Sequence, residues 1–231
     1  MEKRNEMNVK LISYTQPSKQ FLEEIKIDNI AELIAYCARI SNPGNQSNVE
    51  TSEKLIKYLL KNKHFSPFEM INVCLEINTT RDIARQLLRH RSFSFQEFSQ
   101  RYADPTKDLD FVLREARLQD TKNRQNSIDI MGLTLNEQNI IEQWKRKQEA
   151  VIAEAEHAYE WAIANGIAKE QARVVLPEGN TVSRLYVNGT LRSWIHYIQV
   201  RSDISTQKEH REIAKVCAKV ISEIFPMMKE L

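Results

Sequence analysis

The chain has 231 residues, 42% of them hydrophobic and 28% charged, which is enough sequence for one globular domain with a real core. Its net charge is +2, so composition makes no general case for nucleic acid or an acidic membrane as partner. No run is long and apolar enough to span a bilayer, and the charged start, Met1 to Lys10, lacks an apolar signal core.

The first expected element is a strand over Val9 to Tyr14, where apolar and polar residues weakly alternate. Ile30, Leu33, Ile34, Cys37 and Ala38 recur at helical spacing and predict a helix over Asn29 to Arg39. Ser41 to Asn48 is a polar loop, and Thr51 is placed to cap a helix running to about Lys63. Met70 to Ile77 alternates as a strand, Thr80 is placed to cap a helix over Arg81 to His90, and Ser92 to Phe98 follows as extended chain. The segment near 104–136 is polar and irregular, and reads as a long, partly mobile excursion. Thr134 and Glu137 form a capping-box pattern that opens a helix from about Glu137 to Ala164, closed by Asn165-Gly166. A short helix is expected over Lys169 to Val175, stopped by Pro177. A strand over Val182 to Val187 and helices over Leu191 to Val200 and Thr206 to Phe225 complete the set. There is no internal repeat and no linker, so the expectation is one α+β domain over 1–231, helix-rich around a small mixed or antiparallel sheet.

Several chemistries are excluded by residue type and spacing. The three cysteines, Cys37, Cys74 and Cys217, are far apart and form neither a C-x-x-C pair nor a zinc spacing, so they read as free thiols in a reducing, cytoplasmic setting. The five histidines show no metal-site motif, and no metal is expected. Only five glycines are present, none grouped as a dinucleotide fingerprint or a P-loop. A bound nucleotide would therefore be held by side chains and helix N-termini.

The most informative stretch is Arg89 to Tyr102. It holds three arginines, a histidine, a carboxylate and several hydroxyls, and the chain has no lysine from His64 through Thr106. Arginine is a planar fork that grips phosphate or carboxylate with two parallel hydrogen bonds, so arginine without lysine points to shaped anion recognition. Arg81, Arg85 and Arg89 recur every four residues, and Gln86 shares a face with Arg89 and His90. Asp82 is the only acid between Arg81 and Gln96, so an anionic ligand is the expected counter-charge; the plain alternative is a basic face paired with acids elsewhere. A second lysine-free stretch, Gln171 to Gln207, carries Arg173, Arg184, Arg192 and Arg201.

The pattern Arg89-His90-Arg91, Ser94, Gln96-Glu97, Ser99 and Arg101-Tyr102 resembles the signature of the flavin-dependent thymidylate synthases. Three further segments match motifs of that family in the right order: His64-Phe65-Ser66-Pro67-Phe68-Glu69, Ala172 to Pro177, and Asn188 to Trp194 continuing through His196 to Arg201. Arg39-Ile40-Ser41 is a shorter match, and the resemblance runs from about Ala38 to Gln207. Gln96 stands where the family usually has Asn, Ser205 where some members have His, and Thr190 and His196 where others have Asn.

The resemblance implies reductive methylation of dUMP to dTMP, with methylenetetrahydrofolate as carbon donor, FAD as hydride carrier and NADPH as reductant. It implies a homotetramer whose active sites are shared between subunits. Carried over, Gln86, Arg89, Glu97, Ser99, Gln100, Arg101, Arg173 and Arg201 form the dUMP site, with Ser99 and Arg101 at the phosphate. Arg201 is the catalytic residue, beside the uracil imide and favouring its ionised form. Ser41, His64, Ser66, Glu69, Arg89, His90, Arg91, Gln96, Glu97, Thr190, Arg192 and His196 fall to FAD. Ser99 has no histidine nearby in sequence to activate it as a nucleophile, which favours a phosphate-binding hydroxyl. The rival reading is a non-catalytic RNA-binding protein that stacks bases on Phe93, Phe95 and Phe98.

Overall fold

The computed structural model describes residues 8–230, so most of the charged initial segment lies outside the described residues. The first half of the fold contains β1 (Asn8–Tyr14), α1 (Lys19–Glu24), α2 (Ile30–Ala38), α3 (Ser52–Lys61), β2 (Asn72–Thr80), α4 (Arg81–Leu87) and β3 (Ser94–Glu97). Then come α5 (Pro105–Asp108), the hairpin strands β4 (Arg117–Gln119) and β5 (Ser127–Asp129), α6 (Leu135–Ala164) and α7 (Lys169–Ala172). β6 (Val182–Thr190), α8 (Leu191–Arg201) and α9 (Lys208–Ser222) follow, with short 3-10 turns at Ser66–Met70 and Arg173–Val175 among others. The α+β expectation holds, and the main sheet is wholly antiparallel, in the order β1-β2-β6-β3.

Alternation decides which side of the sheet is covered. Val73, Leu75 and Ile77 of β2 and Leu185 and Val187 of β6 are buried, while Arg184, Tyr186 and Asn188 face outward. The buried side packs with Ile34, Ile56, Leu87, Trp194, Ile198, Ile213 and Ile221 into one core beneath α2, α3, α4, α8 and α9. Trp194 brings a polar handle into this core and satisfies it by donating Nε1–H to the Val73 carbonyl at 3.0 Å. β2 runs directly into α4 and β6 directly into α8, so the two central strands launch the two helices that carry the site.

The helix ends show which local signals were real. Asn29 caps α2 by accepting from Glu32 N–H, and Thr134 with Glu137 forms the expected capping box on α6. Thr51 and Thr80 sit at helix starts without making a side-chain cap. Thr80 instead donates to Asp82 Oδ1 at 2.5 Å and accepts from Arg114, because a charged partner outcompetes the helix N–H. α1 was not expected; it is a six-residue turn of helix capped by Ser18.

The segment near 104–136 is anchored to the rest of the domain at Arg114 and Arg117. Arg114 N–H donates to Gln148 Oε1 at 2.8 Å, and Gln148 Nε2 returns a bond to the Arg114 carbonyl at 2.9 Å. The Arg114 guanidinium reaches Asp82 at 2.7 Å and Glu209 at 3.0 Å, and Arg117 also pairs with Glu209. The part around Arg114 and Arg117 is polar because polar contacts hold it, while most of residues 118–136 face solvent. No helix among the described residues is long and apolar enough to cross a membrane.

Gly189 shows how closely the site-bearing strand is packed. A Cβ there would lie 2.3 Å from Phe93 Cδ1, and Phe93 is itself wedged against Trp194 with ring centroids 4.5 Å apart. Gly189→Ala is expected to lower stability by about 1–3 kcal/mol through overpacking, read from the urea midpoint. An unchanged midpoint would show that Phe93 moves aside freely.

Candidate active site

α8 organises the site. Thr190 ends β6 and caps the helix by accepting from Ser193 N–H at 3.2 Å. Arg192, His196 and Gln199 then lie exposed on one face, while Trp194, Tyr197 and Ile198 anchor the opposite side. That exposed face lines an open cleft of about 540 Å³ with Phe65, Glu69, Ser92, Thr190, Ser193 and Ile195. Arg192 Nη1 donates to Glu69 at 2.5 Å, and this bond holds the Glu69 carboxyl below its usual range. The cleft thus has the start of a helix, a guanidinium, an imidazole and an amide on one wall, a donor-rich surface suited to a large polar cofactor.

The last turn of α8 carries Arg201. Its Nε donates to His90 Nε2 at 2.9 Å. An acceptor at Nε2 means that the neutral ring carries its proton on Nδ1. Burial first, and then the positive charges of Arg201, His196 and Arg89, push the His90 pKa down to about 4. The pair therefore fixes the Arg201 fork through one nitrogen and leaves both Nη groups without a carboxylate partner among the described residues. Gln86 lies close by: its Nε2 donates to Gln207 Oε1 at 2.7 Å, and its Oε1 lies 3.1 Å from His210 Nδ1.

The arginines separate into two classes. Arg81 and Arg85 approach Glu97 at 3.5 and 3.7 Å, and Arg85 also approaches Glu178 at 3.6 Å, so for these two the plain pairing with distant acids is right. Arg89, Arg91, Arg173 and Arg201 have no acidic partner within 4 Å among the described residues. Arg173 donates only to the Glu170 carbonyl, at 3.3 Å. Unpaired guanidiniums gathered on one protein are what an anionic ligand requires. Gln100 is buried with its amide nitrogen lacking any partner, a second unfilled donor.

The sequence-derived residues fall into separate places. Glu69, Thr190, Arg192 and His196 meet in the cleft, and Ser66 lies in the turn next to cleft-lining Phe65. Gln86, His90 and Arg201 meet at the far end of α8. Arg101 and Arg173 converge on Glu170, with Arg101 Nη2 3.0 Å from its carboxylate. Ser99 Oγ accepts from Arg101 N–H at 3.4 Å. No hydrogen bond or ion pair joins the Arg101 group to the Arg201 group among the described residues. Ser41 is exposed in the turn after α2, and His64 is exposed with its ring edge-on to Tyr58, 5.9 Å between centroids; neither lines the cleft. Gln96 pairs with Tyr186 on the open side of the sheet. Glu97 points to the covered side, where Ser183 Oγ donates to it at 2.9 Å.

Ser92, Ser193, Ile195 and Gln199 line the cleft but were not singled out from sequence. Gln199 had a usable signal, three residues after His196 and seven after Arg192. His210 had none, because it lies on the apolar stripe with Ile213, Ala214 and Cys217 and reads as core. None of the three rings of the rival reading is exposed for stacking: Phe93 is buried between His90, Trp194 and Tyr197, Phe95 is half-buried against it, and Phe98 is half-buried. No cluster of three or more metal-ligating side chains occurs among the described residues.

Such a combination, an antiparallel α+β domain with a polar cleft along α8 and an unpaired guanidinium in the last turn of that helix, defines a protein suited to a polar, anionic ligand. The family model described as thymidylate synthase complementing protein matches residues 10–227, and the chain belongs to that family. The flavin-dependent thymidylate synthase of Synechocystis sp. is 49% identical over 225 residues, covering 95% of this chain and 96% of that one. A probable flavin-dependent thymidylate synthase of Paramecium bursaria Chlorella virus 1 is 44% identical over 220 residues, with 95% and 96% covered. The solved structure of a UMP/dUMP methylase from Streptomyces cacaoi, bound with 5-Br dUMP, matches with a TM-score of 0.76 over 98% of this chain and 94% of that one. At 23% identity, that match establishes likeness of fold.

Two neutral imidazoles, the part-buried His90 and the buried His210, set an acid limit on the fold. His90 and His210 are held down to about 4 and about 3, against an ordinary 6.5, so the unfolded chain takes up more protons as pH falls below about 6.5. Their contribution to stability is complete above that value and is lost as pH falls toward 4 and 3. Glu209, held to about 2 against 4.5, adds a second loss in a lower window. The melting temperature is expected to fall from about pH 6.5 downward, with a shallower fall for His90→Gln. Identical pH profiles for the two proteins would refute the assignment to His90.

Proposed function

We propose that this chain is a flavin-dependent thymidylate synthase, which methylates dUMP to dTMP using methylenetetrahydrofolate, FAD and NADPH. Family membership and the two relatives at 49% and 44% identity support the reading. Within the molecule, the observation that carries it is α8, with a polar cleft along its first turns and an unpaired arginine in its last.

We assign FAD to the cleft walls, with Glu69, Thr190, Arg192 and His196 as contacts and Ser66, Arg89 and Arg91 beside them. FAD, when bound, supplies the hydride that completes the methyl group. We assign dUMP to Gln86, Arg89, Gln100, Arg101, Arg173 and Arg201, with Ser99 beside the phosphate. Arg201 is locked through Nε by His90, so its free Nη edge faces the ligand without reorganising. A fixed positive charge beside the uracil imide favours loss of the imide proton, which raises electron density on the ring carbon that accepts the new group. That route needs no thiol. Burial raises the pKa of Cys37, Cys74 and Cys217 alike, so none is a ready nucleophile.

We further propose that the chain acts as a homotetramer with shared sites, that all described elements form one catalytic domain, and that it works in the cytoplasm. Two features support sharing. The Arg101 and Arg201 groups are not joined within one chain, and α6 leaves Trp144, Val151 and Trp161 about half exposed, at 44, 53 and 57%.

Purified protein should be yellow or become so with FAD, and should convert dUMP to dTMP with methylenetetrahydrofolate and NADPH; a protein that retains no flavin refutes the reading. Arg201→Lys keeps the charge but loses the fork. It is expected to slow methyl transfer by about 10²–10³-fold while flavin reduction by NADPH survives better. Equal loss in both half-reactions would make Arg201 structural. Arg101→Ala and Arg201→Ala should each be inactive, yet recover part of the activity when co-refolded into mixed oligomers. No recovery in verified mixtures would put both arginines in one chain's site.

A further inference from the structure

We propose that His210 is a positioning residue for nucleotide recognition: it fixes the sense of the Gln86 amide so that Gln86 offers the nucleotide an N–H donor. This rests on the assignment of Gln86 to the dUMP site.

The argument follows a chain of hydrogen bonds with one self-consistent direction. Glu209 is buried in the first turn of α9, where Arg114 lies 3.0 Å from it and Arg117 also pairs with it. A carboxylate beside two guanidiniums is ionised and can only accept. Gln207 lies 3.0 Å from it and must therefore turn its amide nitrogen toward Glu209. Its oxygen then faces Gln86, so Gln86 must donate across the 2.7 Å contact between them. Gln86 Oε1 is left facing His210 Nδ1 at 3.1 Å, which requires the proton on Nδ1.

The other end of the ring agrees. His210 is fully buried, and its Nε2 has no hydrogen-bond partner. A bare lone pair there is tolerable; an N–H in the same place would be an unmet donor in the core. The ring cannot escape by charging, because burial and the nearby Arg201 and His90 hold it neutral. It cannot readily rotate either, since Tyr197 lies against it with centroids 5.7 Å apart. The Gln86 amide is thus clamped at its oxygen by His210 and at one N–H by Gln207. Its second N–H has no protein partner among the described residues and is the group left for a ligand. The reversed amide would present a carbonyl instead and repel the acceptor oxygens of a uracil, ribose or phosphate.

Two substitutions separate this role from packing. Asn at 210 can place an amide N–H where Nδ1 stood, whereas Phe fills the space with no donor. Titration calorimetry on the FAD-loaded enzyme is expected to show His210→Phe binding dUMP about tenfold more weakly, the scale of one net hydrogen bond. His210→Asn should stay within about threefold of wild type, and FAD affinity should be unchanged in both. Wild-type dUMP affinity in His210→Phe, or no difference between Phe and Asn, overturns the proposal. Gln207 is exposed, so Gln207→Ala tests the other clamp without threatening the fold. It should also weaken dUMP severalfold at an unchanged melting temperature, and unchanged affinity there overturns the proposal even if the His210 variants do not fold. A wild-type holoenzyme that fails to bind dUMP removes the functional reading and this proposal together. Intact wild-type binding with unaffected variants removes the proposal alone.

Discussion

The buried Glu209 carboxylate is the constraint on which the site region depends. Burial alone would raise its pKa, but Arg117, its own backbone N–H, Arg114 and Gln207 together hold it ionised at about 2. The two guanidiniums come from a distant part of the chain, more than 90 residues from Glu209 in the case of Arg117. A buried ion network of this kind adds little net stability over apolar packing, yet removing one of its charged members leaves an uncompensated charge and costs about 3–5 kcal/mol. Its value is therefore in what it specifies. Glu209 ties the β4–β5 segment to α9, and through Arg114 and Asp82 it ties both to α4. The orientation of each polar side chain between Glu209 and Gln86 then has no freedom left.

α8 converts that rigid frame into function. One side of the helix is core, with Trp194 and Ile195 almost wholly buried. Its exposed side faces the cleft, and its last turn ends in Arg201. The two chemical environments are thus on one rigid element, as placement to a fraction of an ångström demands. β6 fixes where the helix begins, because Thr190 belongs to both strand and cap. The close approach of Phe93 to Gly189 locks the segment after Arg91 against that same strand–helix junction.

Much of this was legible from residue order. The alternation in β2 and the 3.6-residue spacing in α2 and α9 reflect burial of one face, and such patterns survive without knowledge of the partners. The Thr134–Glu137 box was readable because its hydrogen bonds are local. What stayed hidden depends on contacts between residues distant in sequence. The 104–136 segment looked loose because its anchors, Asp82, Gln148 and Glu209, are far away in the chain. Arg81 and Arg85 looked like ligand groups for the same reason: their acids, Glu97 and Glu178, lie outside the helix. Counting charges along a helix cannot distinguish an arginine awaiting a ligand from one already satisfied. His210 was hidden by its place on an apolar stripe, where only the fold reveals that Gln86 faces it.

The distinction between satisfied and unsatisfied arginines also explains why the imidazoles must be neutral. His90 and His210 lie with ring centroids 6.4 Å apart, and both feel the charge of Arg201. A protonated ring at either place would put a second cation beside Arg201 and compete for the same anionic ligand. A neutral His90 instead accepts from Arg201 Nε, adding no charge while removing the rotational freedom of the fork. A carboxylate in its position would orient the guanidinium equally well but would cancel the charge that the proposed imide activation relies on. An acid is the stronger partner for a structural arginine such as Arg114; a neutral imidazole is the better partner for one whose charge must remain available.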